Sequence, residues 1–127
     1  MRVSENGKRL CALYCRVGGV SEMDREMLEH QCWTLQDFAL KQDFEVAGIV
    51  KALESGLFAS RPSIDDLVEL CGREHIHYLV VDSLGRLCRT SAQCNVILRR
   101  LYSAGVWDVV TRKEGTIFLK GVFDNSQ

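Results

Sequence analysis

Four arginines, Arg16, Arg61, Arg86 and Arg89, give this sequence its clearest chemical capability. Arg86 and Arg89 stand three apart in a polar, basic stretch, residues 83–90 (SLGRLCRT); if residues 84–89 are helical, the two share a face. A guanidinium stays charged and presents a rigid fork of donors, which suits phosphate oxygens better than a lysine ammonium does. Several of them around one phosphodiester would stabilise the charge on its non-bridging oxygens during phosphoryl transfer. Taken singly, each arginine reads as a solvated surface residue or as a salt-bridge partner of Glu54, Asp65 or Asp82. The chemical reading therefore depends on whether the fold gathers them.

The elements that must do the gathering are legible in the patterning. Residues 10–17 (LCALYCRV) are a continuous apolar run ending in a charge, the signature of a fully buried strand, and Gly18 and Gly19 break it. Residues 21–42 read as a helix. Ser21 and Asp24 have capping-box spacing at its start, with Asp in place of the usual Glu, and Met27, Gln31, Leu35 and Phe38 recur at helical spacing. Residues 44–50 predict a second strand and residues 51–60 a loop containing Gly56. Arg61-Pro62 opens a helix, with proline in the first turn where it is tolerated. Its apolar stripe is Ile64, Leu67, Val68 and Cys71, and Gly72 is expected to end it. Residues 78–81 predict a third strand. A helix with Cys94, Ile97, Leu98 and Leu101 on one face closes at Gly105, and residues 106–110 predict a fourth strand. Residues 112–127 are expected to form an irregular tail, with 113–115 as a turn and 116–119 open to a short fifth strand.

Strands alternating with helices predict βαβ units. The expected fold is α/β and three-layered: a central, mostly parallel, four- to five-stranded sheet with helices on both faces. It is read as one domain over residues 1–127, with a polar N-terminal extension at 1–8 and no linker, internal repeat or low-complexity segment. In such sheets the loops leaving the strand C-termini lie along one edge, where ligands bind. The loops after residues 17, 50 and 81 share that edge, and they bring Arg16, Arg61, Arg86 and Arg89 with them.

Composition narrows the function classes. The formal net charge is −1 and the pI is about 6.3, whereas a stand-alone nucleic-acid binder is usually more basic, so any nucleic-acid contact must come from a local patch. The six cysteines (Cys11, Cys15, Cys32, Cys71, Cys88 and Cys94) form no Cys-x-x-Cys pair and no zinc spacing. They read as buried thiols in a reducing cytoplasm rather than as metal ligands or disulfides. No signal peptide or run of transmembrane length is visible. We therefore expect a cytoplasmic chain with no metal, no cofactor, no small-molecule substrate and no membrane association.

The run Tyr14-Cys15-Arg16-Val17, then Leu28-Glu29-His30-Gln31, Arg61-Pro62-Ser63-Ile64 and Leu84-Gly85-Arg86-Leu87-Cys88-Arg89 resembles, in order and approximate spacing, the N-terminal catalytic domain of the serine recombinases, the resolvases and invertases. The resemblance covers roughly residues 9–111. It implies a resolvase-like fold and site-specific DNA strand exchange. A serine attacks the scissile phosphodiester and becomes linked to the DNA 5′ end, arginines hold the phosphate, no metal is needed, and dimers assemble into tetramers. The family pattern at the first strand is Tyr-x-Arg-Val-Ser; Arg16 matches its arginine, and the nucleophile position falls on Gly18. In the pattern Asp-Arg-Leu-x-Arg, residues Arg86, Leu87 and Arg89 match, and the aspartate position holds Gly85. The family glutamine of the first long helix matches Gln31, which by itself also reads as a polar residue edging a helix stripe.

These departures bear on catalysis. Residues two apart on a strand share a face, so position 18 belongs beside Arg16, and glycine offers no hydroxyl there. Ser21 lies near the same loop but reads as the helix cap. Parity turns Cys15 away from Arg16, and Asp82 lies three residues before the vacant acidic position. The segment between position 18 and Gln31 is longer than in the small resolvases. After Thr111 no long helical pattern follows, and no helix-turn-helix fits in the remainder. The expectation is thus a degenerate catalytic domain, inactive alone. Its partners would be DNA, held weakly by this domain by itself, and a second copy or a recombinase in a homodimer or heteromer. The alternative is a non-enzymatic phosphate-binding or regulatory partner of an active recombinase.

Overall fold

β1 (Arg9–Val17) is buried from Leu10 to its end, which its unbroken apolar run requires of a strand covered on both faces. The computed structural model describes residues 3–56 and 61–124. After β1 come α1 (Glu22–Lys41), β2 (Phe44–Leu53), α2 (Pro62–Arg73), β3 (Tyr78–Val81), α3 (Leu84–Leu87), α4 (Ser91–Ser103), β4 (Asp108–Thr111), β5 (Gly115–Phe118) and α5 (Leu119–Phe123). The strand order is β2-β1-β3-β4-β5. The pairs β2–β1, β1–β3 and β3–β4 are parallel, and β5 returns antiparallel on β4. This is the expected α/β architecture with five strands.

Alternate side chains of the sheet feed two cores. On one face Cys11, Leu13, Cys15, Val17, Val80 and Val110 pack against Leu28, Cys32, Leu35 and Ala39 of α1. On the other, Ala12, Tyr14, Leu79, Val81 and Val109 pack against α2, α4 and α5 through Ile64, Leu67, Ile97, Leu101 and Leu119. Each fully buried Leu or Ile contributes about 1.5–3 kcal/mol, so these interdigitated rows hold the layers together. The chain leaves β1 toward β2 and later crosses back to β3 on the other side. That reversal makes the β1–β3 boundary a topological switch point, with its crevice at the strand C-termini.

Several boundaries differ from the expectation. Ser21 caps α1 through a capping box with Asp24, as read. β2 runs to Leu53, so the loop after it starts at Glu54; Lys51 is tolerated in this edge strand and pairs with Glu29 at 2.8 Å. Residues 57–60 of the expected loop lie outside the described residues. Gly72 does not end α2. The helix continues to Arg73, and the chain turns at His75, whose φ of 55° places it in the left-handed region. Gly72 faces Ala104, and a Cβ on it would meet Ala104 at 3.9 Å, an ordinary contact. The turn expected near residues 113–115 is present at 112–114 and folds Gly115–Phe118, the fifth strand left open by the sequence, back on β4; α5 after it departs from the expected irregular tail. Residues 4–8 of the N-terminal extension form a turn that brings Val3 into a bridge with Arg9.

The cysteine expectation needs a correction. Cys88 and Cys94 are paired as a disulfide, with Cα atoms 5.2 Å apart, within the usual span for such a bond. The chain leaves α3 extended at Cys88 and re-enters a helix at Ser91, which swings Cys94 back onto it. Cys11, Cys15, Cys32 and Cys71 are free and buried, as expected.

Candidate functional site

Arg16 closes β1 at the C-terminal edge. The last β1–β3 pair is Tyr14↔Val81, so the main chain of Arg16 lies beyond the reach of β3. The carboxamide of Gln31 takes over there. The Arg16 N–H donates to Gln31 Oε1 at 3.0 Å, and Gln31 Nε2 donates to the Arg16 carbonyl at 3.1 Å. Gln31 thus acts as a short piece of neighbouring strand reaching in from α1.

The Arg16 side chain is 3% exposed. Its Nε donates to the carbonyl of Arg86 at 2.8 Å, Nη2 to that of Gly85 at 3.0 Å and Nη1 to that of Glu54 at 3.0 Å. One guanidinium therefore ties the loops after β2 and β3 to the end of β1. It lies so close to the chain at residue 56 that a Cβ there would stand 2.7 Å from Nη2, a space only glycine leaves open. Arg61, the residue before α2, is also 3% exposed. It donates through Nη2 to the Leu87 carbonyl, and its Nε lies 3.6 Å from Glu54 Oε1. Its Nη1 is buried and has no hydrogen-bond partner among the described residues. Glu54 also accepts from Ser63, whose hydroxyl is 2.7 Å from that of Tyr14. Tyr14, Ser63, Glu54 and Arg61 form one polar chain beneath the edge, buried except at Glu54.

Arg86 and Arg89 are different. Among the described residues neither guanidinium has a partner; Arg86 is half-buried and Arg89 exposed. They do not share a helical face, because α3 ends at Leu87 and Cys88 is extended. Arg89 is set instead by its own N–H, which donates to Gln93 Oε1 at 2.8 Å. Arg61, Arg86 and Arg89 nevertheless all lie within electrostatic reach of Arg16. Burial first, then the positive charges of Arg61, Arg86 and Arg89, press the Arg16 guanidinium below its ordinary pKa. Concentrated like charge of this kind favours a bound anion.

Gly18 lies just past the end of β1, exposed. A Cβ built on it would meet Arg16 Nη1 at 3.9 Å, an ordinary contact. Gly85 sits in the first turn of α3, exposed, and gives only its carbonyl to Arg16. Asp82 is buried and held by Arg112 Nε at 2.6 Å and Lys113 Nζ at 3.4 Å. Burial would raise its pKa, but the hydrogen bond and charge of Arg112, with Lys113, outweigh it and hold the carboxyl below its ordinary value. A cleft of about 630 Å³ opens beside Arg86, lined among others by Met23, Met27, His30, Gln31 and Arg112. Among the described residues no three His, Cys, Asp or Glu side chains converge as a metal site would, and no helix is long and apolar enough to cross a membrane.

Sequence reasoning missed three contributors. Gly56 and the Tyr14–Ser63 pair carry no local signal, because their roles depend on contacts across the sheet edge. A turn was expected close to residues 112–114, but Arg112, Lys113 and Glu114 had no expected role, because their partners lie across the sheet edge at Asp82 and Leu84.

A five-stranded, mostly parallel sheet with arginines gathered at its C-terminal switch point has close structural counterparts. One is the C-terminal catalytic domain of ISC1926 TnpA, an IS607-like serine recombinase, which superimposes with a TM-score of 0.70 at 24% identity, covering 84% of this chain and 71% of that one. A resolvase family site-specific recombinase from Streptococcus pneumoniae gives 0.70 at 22% identity, covering 93% and 87%. The N-terminal catalytic domain of TP901-1 integrase gives 0.69 at 21% identity, covering 84% and 79%. No curated protein matches the sequence. Residues 11–122 match the family described as Resolvase, N terminal domain. The chain belongs to that family.

Proposed function

We propose that this chain is a serine recombinase catalytic domain that no longer cleaves DNA and keeps its arginine-bearing edge as a contact for DNA phosphate, working in the cytoplasm beside an active recombinase. The observation that carries the reading is at residue 18. The space next to Arg16 Nη1 would admit a side chain, and glycine places no nucleophile in it. Without a hydroxyl no phosphoserine link can form. The neighbouring candidates are occupied. Ser21 Oγ bonds Asp24 Oδ2 at 2.6 Å and accepts the Asp24 N–H at 3.1 Å. Cys15 is buried on the opposite face of the sheet, and burial pushes its thiol pKa up. Asp82 is committed to Arg112 and Lys113.

The arginines divide into two roles on this reading. Arg16 spends its donors on the main chain and Arg61 gives Nη2 to the Leu87 carbonyl, so these two set the shape of the edge; Arg86 and Arg89 meet the phosphate. Binding would be sequence-indifferent and salt-sensitive, since phosphate contacts position a protein on DNA without reading bases. A purely regulatory role, without DNA, has its own support in the exposed apolar side chains of Val20, Met23, Met27 and Trp33 on and before α1; it predicts a stable complex with a recombinase that needs no DNA.

The test is to mix the chain with DNA carrying the site of a co-encoded recombinase, quench in denaturant and look for protein covalently attached to DNA. The wild-type chain gives none, and Gly18→Ser restores a trace. A wild-type adduct overturns the proposal.

A further inference from the structure

The turn that carries Arg86 is gripped at both ends. At its carbonyl end, the oxygens of Gly85 and Arg86 accept from Arg16, and that of Leu87 accepts from Arg61. At its amide end, the Leu84 N–H donates to Glu114 Oε1 at 2.6 Å, across 30 residues of sequence. The segment cannot close this end itself: Ser83, its N-cap, makes no side-chain cap bond, and residue 85 has no side chain.

The main chain of Glu114 is itself firmly placed, and its exposed side chain reaches back from there. Its N–H donates to Thr111 Oγ1 at 2.8 Å, and Thr111 Oγ1 donates to the Gly115 carbonyl at 2.6 Å, closing the β4–β5 turn. The two residues before it fasten that turn to the end of β3. The Arg112 and Lys113 N–H groups donate to the carbonyls of Val81 and Asp82 at 3.0 and 3.1 Å, while both side chains hold the Asp82 carboxylate. Three consecutive residues of one turn are thus spent on the junction between β3 and the arginine turn.

We propose that Glu114 is a positioning residue for the phosphate-facing arginines: by fixing the Leu84 amide it sets how the turn presents Arg86. The inference rests on the reading that Arg86 meets phosphate. A carboxylate beside an anion site opposes binding through its charge, so anion affinity does not account for it. What it contributes is a charge-assisted hydrogen bond to an amide at the start of a helical turn, where intrahelical partners are lacking.

Glu114→Ala and Glu114→Gln in the whole chain separate these effects, because glutamine keeps an acceptor oxygen at the same reach and removes only the charge. Two readouts are needed: amide hydrogen exchange at residues 84–89 by NMR, and affinity for a mixed-sequence DNA duplex at low salt. In Glu114→Ala the Leu84 amide exchanges about tenfold faster and DNA affinity falls by a similar factor, the size expected for one lost charge-assisted hydrogen bond. In Glu114→Gln the exchange stays near wild type and affinity is equal or higher. Tighter DNA binding by both variants would mean that Glu114 acts through charge alone and would overturn the proposal, as would an unchanged Leu84 exchange rate in Glu114→Ala. Absence of DNA binding by the wild-type chain would sink the phosphate reading, while the exchange rates would still decide whether Glu114 holds the turn.

Discussion

Arg16 Nη2 donates to the carbonyl of Gly85 at 3.0 Å. With its bonds to the Arg86 and Glu54 carbonyls, this makes Arg16 the tie between the end of β1 and the arginine turn after β3. A residue of the chemically suggestive cluster is therefore also a structural one, and the four arginines should respond differently to removal.

Arg16→Ala leaves three partly buried carbonyls without their donor. It should lower stability by about 3 kcal/mol or more, because each lost hydrogen bond to a charged group costs about 1.5–3 kcal/mol and relaxation recovers part of the sum. Arg61→Ala should act in the same direction. Arg86→Ala and Arg89→Ala should leave the denaturation midpoint within about 0.5 kcal/mol of wild type, as surface substitutions do. Urea titrations of the four variants check this; equal losses in all four would refute the division of roles.

Gln31→Ala removes both partners of the Arg16 main chain. The site is buried, so the expected cost is about 2–3 kcal/mol. Gln31→Glu, which keeps the acceptor and loses the donor, should fall between. Urea denaturation measures both.

The depressed pKa of Asp82 gives a pH dependence with a definite sign. The folded carboxyl ionises below the unfolded value of about 3.9, so its contribution is complete above that value. It is lost as pH falls through the folded pKa, with the ion pairs to Arg112 and Lys113. Acid titration of the wild type should show destabilisation below about pH 4 that Asp82→Asn lacks. A parallel profile in the variant would contradict this.

How much of this was open to sequence reasoning varies with the range of the interaction. The α1 cap rests on Ser21 and Asp24, three residues apart, and was legible. So was β1, whose burial follows from its apolar run, and so was the gathering of arginines, which follows from parallel-strand topology. The burial of Arg16 and Arg61 was not legible: it depends on where the carbonyls of residues 54 and 85–87 point, and nothing local encodes that. Gly72 misled because a left-handed closure was assigned to glycine, whereas His75 takes it. Lys51 suggested a loop, but an edge strand accommodates a charge that finds Glu29 on α1.

The cysteines make a chemical prediction. Burial pushes the Cys11 and Cys71 thiols up to about 12, and Cys15 is raised as well; Cys88 and Cys94 are paired. The native oxidised chain should present no fast-reacting thiol at pH 8, and the unfolded chain should present four. Six thiols on unfolding without reductant would contradict the pairing.

The central claim, that Arg86 and Arg89 hold DNA phosphate at an edge shaped by Arg16 and Arg61, is tested most directly by a salt titration of DNA binding. Fluorescence anisotropy with mixed-sequence duplexes should show weak, sequence-indifferent binding at low salt. For the Arg86→Ala/Arg89→Ala variant the slope of log affinity against log salt should be smaller by about 2, roughly one per lost phosphate contact. No binding by the wild-type chain at low salt, or a slope unchanged by the double substitution, would contradict the account.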